Sequence, residues 1–345
     1  MKNPTIIHIN MASGFGGGEV QTLNLISHLA EFPQVVLAKK NSLFEKKVIH
    51  TFKGNDNVNT NSFFSALIHC WSDKNTVIHA HDGRGAHIAR IISKLSGVKF
   101  VISRRVDKPL KGKLSEKTYH SASSIIAVSE KVAKNLIGLN SSLKVIYDSY
   151  SNLPASSDVE RSLAILESKF VVTQLGSLID VKNVSFTIEL AKRLEKSHPN
   201  IHFLIVGEGK DEMILKKQAK GLSNITFFGF TTFVASIMKR TDLLFMPSKS
   251  EGLGSAVLEA YQHGIPVVTS NVGGLPEIVD EGITGYQFKL GDIETAEDRV
   301  VSLYTDNTLY NRLVSQINAY KVKYSPENMA QSYKRCYQDC LATKF

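Results

Sequence analysis

Pro247 to Val279 reads PSKSEGLGSAVLEAYQHGIPVVTSNVGGLPEIV and is the most informative segment of the chain. An apolar run, Leu243 to Met246, leads into it and stops at Pro247, which reads as a buried strand followed by a breaker. The glycine-punctuated turn Glu251-Gly252-Leu253-Gly254-Ser255 then opens a helix to about His263, closed by Gly264 and Pro266. Val267, Val268 and Thr269 make the next strand. The result is strand, glycine turn, helix, strand, with a helix N-terminus at the strand's carboxyl end. Free N–H groups and the positive end of the helix dipole favour a phosphate there, and glycines let a ligand approach the backbone. Glu251 sits on the turn and Glu259 about a turn and a half into the helix. The pair suits a ligand with phosphate in its middle and hydroxyls at both ends, the shape of a nucleotide-sugar.

Working outward, 345 residues exceed what one core usually serves, which predicts two domains. With 43% apolar and 21% charged residues the composition is that of a folded soluble protein, not a disordered one. No apolar run reaches the about 18 residues of a membrane-spanning helix. The apolar stretch of MKNPTIIHINM is too short for a secretion signal and reads as a first strand. Cys70, Cys336 and Cys340 have no framework spacing and suit a reducing cytoplasm. Cys336 and Cys340 share a helix face, but no His or Cys beside them completes a metal site.

Charge is uneven. The first 150 residues carry 20 Lys and Arg against 10 Asp and Glu, and the remainder carry 21 against 22. All the excess basicity therefore lies in the N-terminal half, which predicts an anionic partner there. No zinc-finger spacing or aromatic–basic interleaving points to nucleic acid. The expected partner is an anionic membrane surface or a phosphorylated lipid-linked acceptor, with the protein peripheral on the inner face of the cytoplasmic membrane.

The first half alternates strand-like runs (Ile6–Ile9, Val35–Leu37, Val77–Ala80, Phe100–Ile102, Ile125–Val128, Lys144–Ile146) with helical stretches. The pattern loosens from Tyr147 to about Lys169 and resumes with Phe170–Leu175, His202–Val206, Ile225–Phe228, Leu243–Met246 and Val267–Thr269; from Glu294 onward the chain is helical. Regular alternation of strand and helix predicts parallel sheets covered on both faces, here two α/β domains with a cleft between their strand ends.

The order of motifs, Glu251-x7-Glu259, then His263-Gly264-Ile265-Pro266-Val267-Val268, then Gly273-Gly274-x-Pro276-Glu277, resembles glycosyltransferase family 4, the glycosyl transferases group 1. Taken alone, both glutamates read as solvated charges at a helix start; the ordered flanking motifs point beyond that. The resemblance is specific over residues 243–285. It implies a retaining enzyme of the GT-B fold: two Rossmann-like domains facing across a cleft, with 1–160 binding the acceptor and 161–325 the nucleotide-sugar donor. A C-terminal helix, 326–345, would cross back to the first domain.

Further donor contacts follow from the resemblance. Strand Phe170–Leu175 ends in Gly176, and Lys182 follows before a helix; the family has G-R-x4-K here, with Arg and Lys on the diphosphate, but Ser177 replaces the arginine. Gly207-Glu208-Gly209 matches a family G-x-G that lines the donor pocket, although such a pair alone is more often a tight turn. Phe227 and Phe228 read as core, whereas the family places the nucleobase against the residue after Gly229, here Phe230. With Gly252, Leu253, Gly254 and Ser255 offering backbone N–H groups, these residues make up the expected donor site.

In the first half, Ser13-Gly14-Phe15-Gly16-Gly17-Gly18-Glu19 follows the first strand and opens a helix. Four glycines in five positions are costly in chain entropy, so close approach of a ligand to Gly16 and Gly17 is expected. The third glycine is misplaced for a nicotinamide fingerprint. Of His79 and His81, one is read as pointing inward to the core; the resemblance favours His81 as facing the donor sugar. His79-x-His81-Asp82 offers two imidazoles with no third ligand, and no D-x-D ends a strand, so no metal or other cofactor is expected. Arg104 and Arg105 begin the densest basic run, continuing to Lys117, which reads either as a solvated loop or as an acceptor-phosphate contact. Arg84 and Arg104 are further candidates to replace the missing arginine.

The chemistry expected is transfer of a sugar from a UDP- or GDP-linked donor to a hydroxyl of a glycan or lipid-linked acceptor, as in bacterial lipopolysaccharide or surface polysaccharide synthesis. Glu251 as the nucleophile of a double displacement is one route. The resemblance favours front-side attack, in which His81 and Glu251 hold the sugar, Lys182 neutralises the diphosphate and Glu259 holds the ribose diol. The alternatives are a sugar-nucleotide 2-epimerase on the same fold, and a non-catalytic nucleotide-sugar-binding protein.

Overall fold

Each expected apolar run forms a strand, and two further strands join them. The computed structural model describes residues 3–140 and 142–342. These divide into two units, one running to Ser149 and resuming at Tyr324, the other spanning Tyr150–Lys323. In the first unit the strands are β1 (Thr5–Asn10), β2 (Gln34–Ala38), β3 (Val58–Thr60), β4 (Thr76–Ala80), β5 (Lys99–Arg104), β6 (Ser124–Ala127) and β7 (Leu143–Val145). They form one sheet in the order β3-β2-β1-β4-β5-β6-β7, and every neighbouring pair is parallel. β1 and β4 are buried along their whole length, as strands of a sheet covered on both faces must be.

The helix Pro326–Ala342 belongs to this unit. Ser325 caps it, its hydroxyl accepting from the Asn328 N–H, and Pro326 at the first position lacks only an N–H the helix could not use. Met329, Tyr333, Cys336, Tyr337 and Cys340 pack against Ile6, Leu25, Leu29, Val77, Val101 and Ile126. At about 1.5–3 kcal/mol per fully buried large side chain, that stripe anchors the helix firmly. Residues 343–345 of the helix expected over 326–345 lie outside the described residues.

The second unit holds β8 (Phe170–Leu175), β9 (Ile201–Val206), β10 (Ile225–Gly229), β11 (Leu243–Met246), β12 (Val267–Ser270) and β13 (Gly285–Phe288). Their order is β10-β9-β8-β11-β12-β13, again all parallel. The chain leaves the first unit between Ser149 and Tyr150, ahead of residue 160. Gln21 and Asn24 bind Ser149 within the first unit, whereas Leu163 and Leu166, from the segment after 156, pack on Ile237 of the second. Among the described residues no helix is long and apolar enough to cross a membrane.

Both sheets reverse their strand order once, between β1 and β4 in the first and between β8 and β11 in the second. Loops leaving such a pair diverge to opposite sides and open a crevice at the strands' carboxyl ends. Gly16, His81, Gly176, Lys182 and Glu251 to Gly254 lie on the stretches after these four strands.

Candidate functional site

In the second unit the loops after β8 and β11 are tied together. Lys182 ends a short 3-10 turn, Asp180–Lys182, and its Nζ lies 2.6 Å from Glu251 Oε1. The Ser248 hydroxyl donates to the same oxygen at 2.7 Å. Lys249 pairs with Asp180 at 2.5 Å, its N–H donates to the Val181 carbonyl, and the Asn183 amide donates to the Pro247 carbonyl at 3.0 Å. Lys182 and Glu251, 69 positions apart in sequence, are thus one ion pair, with side chains 24% and 11% exposed. Glu251 Oε2 takes no further hydrogen bond among the described residues. Ser248 is a contributor that sequence reasoning missed; its place three residues before Glu251 on the same loop was the available signal.

The glycines explain the local shape. Gly273 has φ +58, and a Cβ there would stand 2.0 Å from the Glu251 carbonyl oxygen. A Cβ on Gly274 would stand 2.3 Å from that of Gly252, and the Gly274 N–H donates to the Glu251 carbonyl at 3.1 Å. The Gly273-Gly274 pair therefore lets one backbone lie directly on the Glu251-Gly252 turn. Gly207 does the same on the other loop: with φ +138, its Cβ would stand 2.0 Å from the Gly176 oxygen. Lys182's stem covers Gly176.

Gly254, at φ +104, caps the helix Ser255–Gln262, and Leu253 is buried against the core. Glu259 lies inside that helix, 5% exposed, with Oε2 accepting from the Ser151 N–H at 3.2 Å. Burial raises its carboxyl from 4.5 to about 8, against the opposing hydrogen bonds from Ser151. No direct contact joins Glu259 to Lys182 or Glu251. Phe227 and Phe228 are partly buried against core clusters, while Phe230 is 53% exposed. Glu208 is exposed, and its carbonyl accepts from the Leu178 N–H.

In the first unit Gly16 caps the helix Gly17–Ser27, and its N–H donates to Glu19 Oε2 at 2.8 Å. None of the glycines at 14, 16, 17 and 18 has positive φ, and added Cβ atoms on Gly14, Gly16 and Gly18 would meet nothing closer than 3.8 Å. Neither backbone geometry nor packing demands glycine at those three positions.

His79 and His81 correct the expected division into one inward and one outward ring. Residues two apart in an extended strand share a face, and both are buried, with ring centroids 3.8 Å apart. The His81 N–H extends the ladder to the Ile9 carbonyl. A third imidazole, His8 of β1, completes a cluster, so the expected count of two ligands is also corrected. The register that pairs His8 with His79 across β1 and β4 brings it there, and a histidine inside the apolar run TIIHIN was the signal. His79 spends its nitrogens on Tyr337 at 2.7 Å and Ser103 at 2.8 Å, and His8 bonds His81, so a metal here would have to displace such bonds.

The three arginines part company. Arg84 is exposed, just after the Asp82 cap of the helix Gly83–Ser96. Arg104 donates to the Lys108 carbonyl at 2.6 Å and lies over the Tyr119 ring. Arg105 is not in a solvated loop: its side chain is 11% exposed and its Nε donates to both oxygens of Asp148 at 3.1 and 3.3 Å. Its two terminal nitrogens are buried without a hydrogen-bond partner among the described residues.

Two parallel α/β sheets, each with its chemistry gathered where the strand order reverses, define a protein of the GT-B fold. Residues 156–320, just under half of the chain, match the family Glycosyl transferases group 1. Among curated proteins, the chain is 25% identical over 188 residues to N-acetyl-alpha-D-glucosaminyl L-malate synthase of Bacillus anthracis, covering 53% of this chain and 49% of that one. It is 24% identical over 295 residues to the UDP-Gal:alpha-D-GlcNAc-diphosphoundecaprenol alpha-1,3-galactosyltransferase of Escherichia coli, covering 72% and 73%. The match thus spans about half the length of the first relative and about three quarters of the second. Among solved structures, HepE of Anabaena, crystallised with UDP and glucose, superposes with a TM-score of 0.82 at 18% identity, covering 97% of this chain and all of that one. Sucrose-phosphate synthase of Thermosynechococcus elongatus gives 0.80 at 15% identity.

Proposed function

We propose that the protein is a retaining glycosyltransferase that moves a sugar from a nucleotide-sugar, UDP-linked in the first instance, to a hydroxyl acceptor without a metal ion. The observation that carries this reading is the Lys182–Glu251 pair with Ser248, set at the carboxyl ends of β8 and β11 where the strand order reverses. Lys182 supplies positive charge for a departing diphosphate, aided by the N–H groups at the start of the helix Ser255–Gln262. Glu251 Oε2 accepts from a sugar hydroxyl, Glu259 holds the ribose diol, and exposed Phe230 offers its face to the base. Gly14, Gly16 and Gly18, required by neither φ nor packing, leave backbone open to a ligand. The acceptor oxygen attacks the face from which the diphosphate leaves, and the diphosphate takes its proton. UDP is favoured because HepE, of the same fold, was crystallised with it.

A thermal-shift screen with UDP, GDP and ADP tests the donor site. Selective stabilisation by UDP, unchanged by EDTA, is expected: about 2.7 kcal/mol at a hundredfold excess over Kd. No shift with any nucleotide, or a shift that EDTA abolishes, contradicts the reading.

The same proposal extends to a lipid-linked acceptor in surface-glycan synthesis, reached from the inner face of the cytoplasmic membrane. Three adjoining helices of the first unit support it: Phe63–Ser72, Gly83–Ser96 and Lys113–His120. Phe64, Ile68, Trp71, Ile91, Leu95 and Leu114 are each more than half exposed on them. The same helices carry Arg84, Arg90, Lys94, Lys113 and Lys117 against a single acid, Glu116. Exposed aromatic and aliphatic side chains among cations are what an anionic bilayer surface binds. Sedimentation with phosphatidylglycerol vesicles should exceed that with phosphatidylcholine, and Ile68→Ser/Trp71→Ser should weaken it by roughly tenfold or more. Equal binding to both vesicles counts against this placement.

A further inference from the structure

The hydrogen bonds around His8 determine the protonation of His81. Gln34, fully buried on β2, donates its Nε2 to two carbonyls, those of Ile26 and Leu29, each at 3.1 Å. Carbonyls only accept, so the amide's orientation is fixed and its Oε1 is an acceptor. His8 Nε2, 3.0 Å from that Oε1, must therefore carry the hydrogen. Burial lowers the His8 imidazolium to about 4, so at neutral pH the ring is neutral and its Nδ1 is a bare acceptor. That Nδ1 lies 2.9 Å from His81 Nε2, which must then be the donor. Burial, followed by the neighbouring His79 and His8 rings and Arg105, holds His81 well below its ordinary value, so it too is neutral. Its one proton is on Nε2. His81 Nδ1 is left with a lone pair, shielded from solvent and without a partner among the described residues.

We propose that Gln34 and His8 are positioning residues whose two successive hydrogen bonds hold His81 in the Nε2–H tautomer, presenting Nδ1 as an acceptor for a sugar hydroxyl. The proposal rests on the reading of His81 as a sugar contact and adds the device that sets its polarity. An Nδ1–H tautomer would remove that acceptor and present a donor in its place. A buried acceptor left unpaired costs about 1–3 kcal/mol, which a ligand hydroxyl would relieve.

Two-bond 1H–15N correlation spectra of the full-length, 15N-labelled protein at pH 7 test it. In the wild type His81 should show a protonated, pyrrole-type Nε2 and a bare, pyridine-type Nδ1. Gln34→Met removes the acceptor that orders His8, and His8→Phe removes the acceptor for His81; either should convert His81 to a mixture of tautomers. With the donor that the thermal-shift screen selects, Gln34→Met and His8→Phe should lower kcat by about tenfold, the scale of one buried hydrogen bond. UDP affinity should not change, because UDP lacks the transferred sugar. A wild-type His81 protonated on Nδ1, or a His81 spectrum unchanged in both Gln34→Met and His8→Phe, overturns the proposal. If Gln34→Met does not fold, the wild-type spectrum and His8→Phe still decide. Failure of the proposed activity would appear separately, as absence of any UDP shift with the tautomer pattern intact.

Discussion

Replacing Lys182 by Met should lower kcat/KM for the donor by about 100- to 1,000-fold, the loss typical when one charge-stabilising group is removed from a water-excluding site. The proposed reaction has no protein nucleophile, so its barrier falls through positioning and through neutralising charge on the departing diphosphate. Lys182 is suited to that because it is already held: Glu251 Oε1 takes its ammonium at 2.6 Å and Ser248 steadies the same oxygen. Glu251→Gln keeps the shape but loosens Lys182, and should mainly lower kcat, leaving the UDP thermal shift close to wild type. The double variant should lose little beyond Lys182→Met alone, because groups acting as a unit are not additive. Lys182→Met also leaves a largely buried carboxylate on one hydroxyl, which costs up to about 3 kcal/mol of stability. Its Tm and far-UV spectrum must therefore accompany the kinetics. Wild-type constants in both single variants would end the assignment.

Much of this site was legible because its signals are local. The breaker at Pro247, the glycine turn and the spacing of Glu251 and Glu259 are facts of one segment, and the helix Ser255–Gln262 begins and ends where Gly254 and Gly264 put it. What the sequence concealed is long-range. β3 is three residues at a sheet edge with two of them exposed, so it shows no apolar run. β13, Gly-Tyr-Gln-Phe, is only four residues of mixed polarity. The partnership of Lys182 with Glu251 needs the β8–β11 pairing, and that of His8 with His81 needs the register of β1 on β4. Arg105 looked like part of a solvated basic run, because charge density along the chain says nothing of Asp148, which buries and pairs one arginine and not its neighbour. The reading of Gly273-Gly274 as a motif was sound as resemblance, but its physical reason, contact with the Glu251-Gly252 backbone, appears only in three dimensions.

Glu259 supplies the second large effect, and its sign is opposite to that of a surface carboxylate. Its folded value of about 8 exceeds the ordinary 4.5, so between those pH values the folded protein holds a proton that the unfolded chain has released. Stability must then fall as pH rises across that window, by about 4 kcal/mol at full extent. Glu259→Gln removes the titrating group while keeping its shape. Its Tm advantage over the wild type should therefore grow from near zero at pH 4.5 to on the order of 5–10 °C at pH 8. A flat difference across that range would contradict the burial that raises the carboxyl. The same group bears on the ligand. A ribose diol donates two hydrogens, which favours the carboxylate over the acid, so nucleotide binding at pH 7 should expel the proton of Glu259. Calorimetric titration of UDP in buffers of different ionisation enthalpy measures that release, and the Glu259→Gln titration subtracts the phosphate's own contribution. The wild type should release up to about one proton more than the variant and bind UDP more tightly as pH approaches 8. Equal proton release in the two proteins would remove Glu259 from the nucleotide site while leaving its effect on stability untouched.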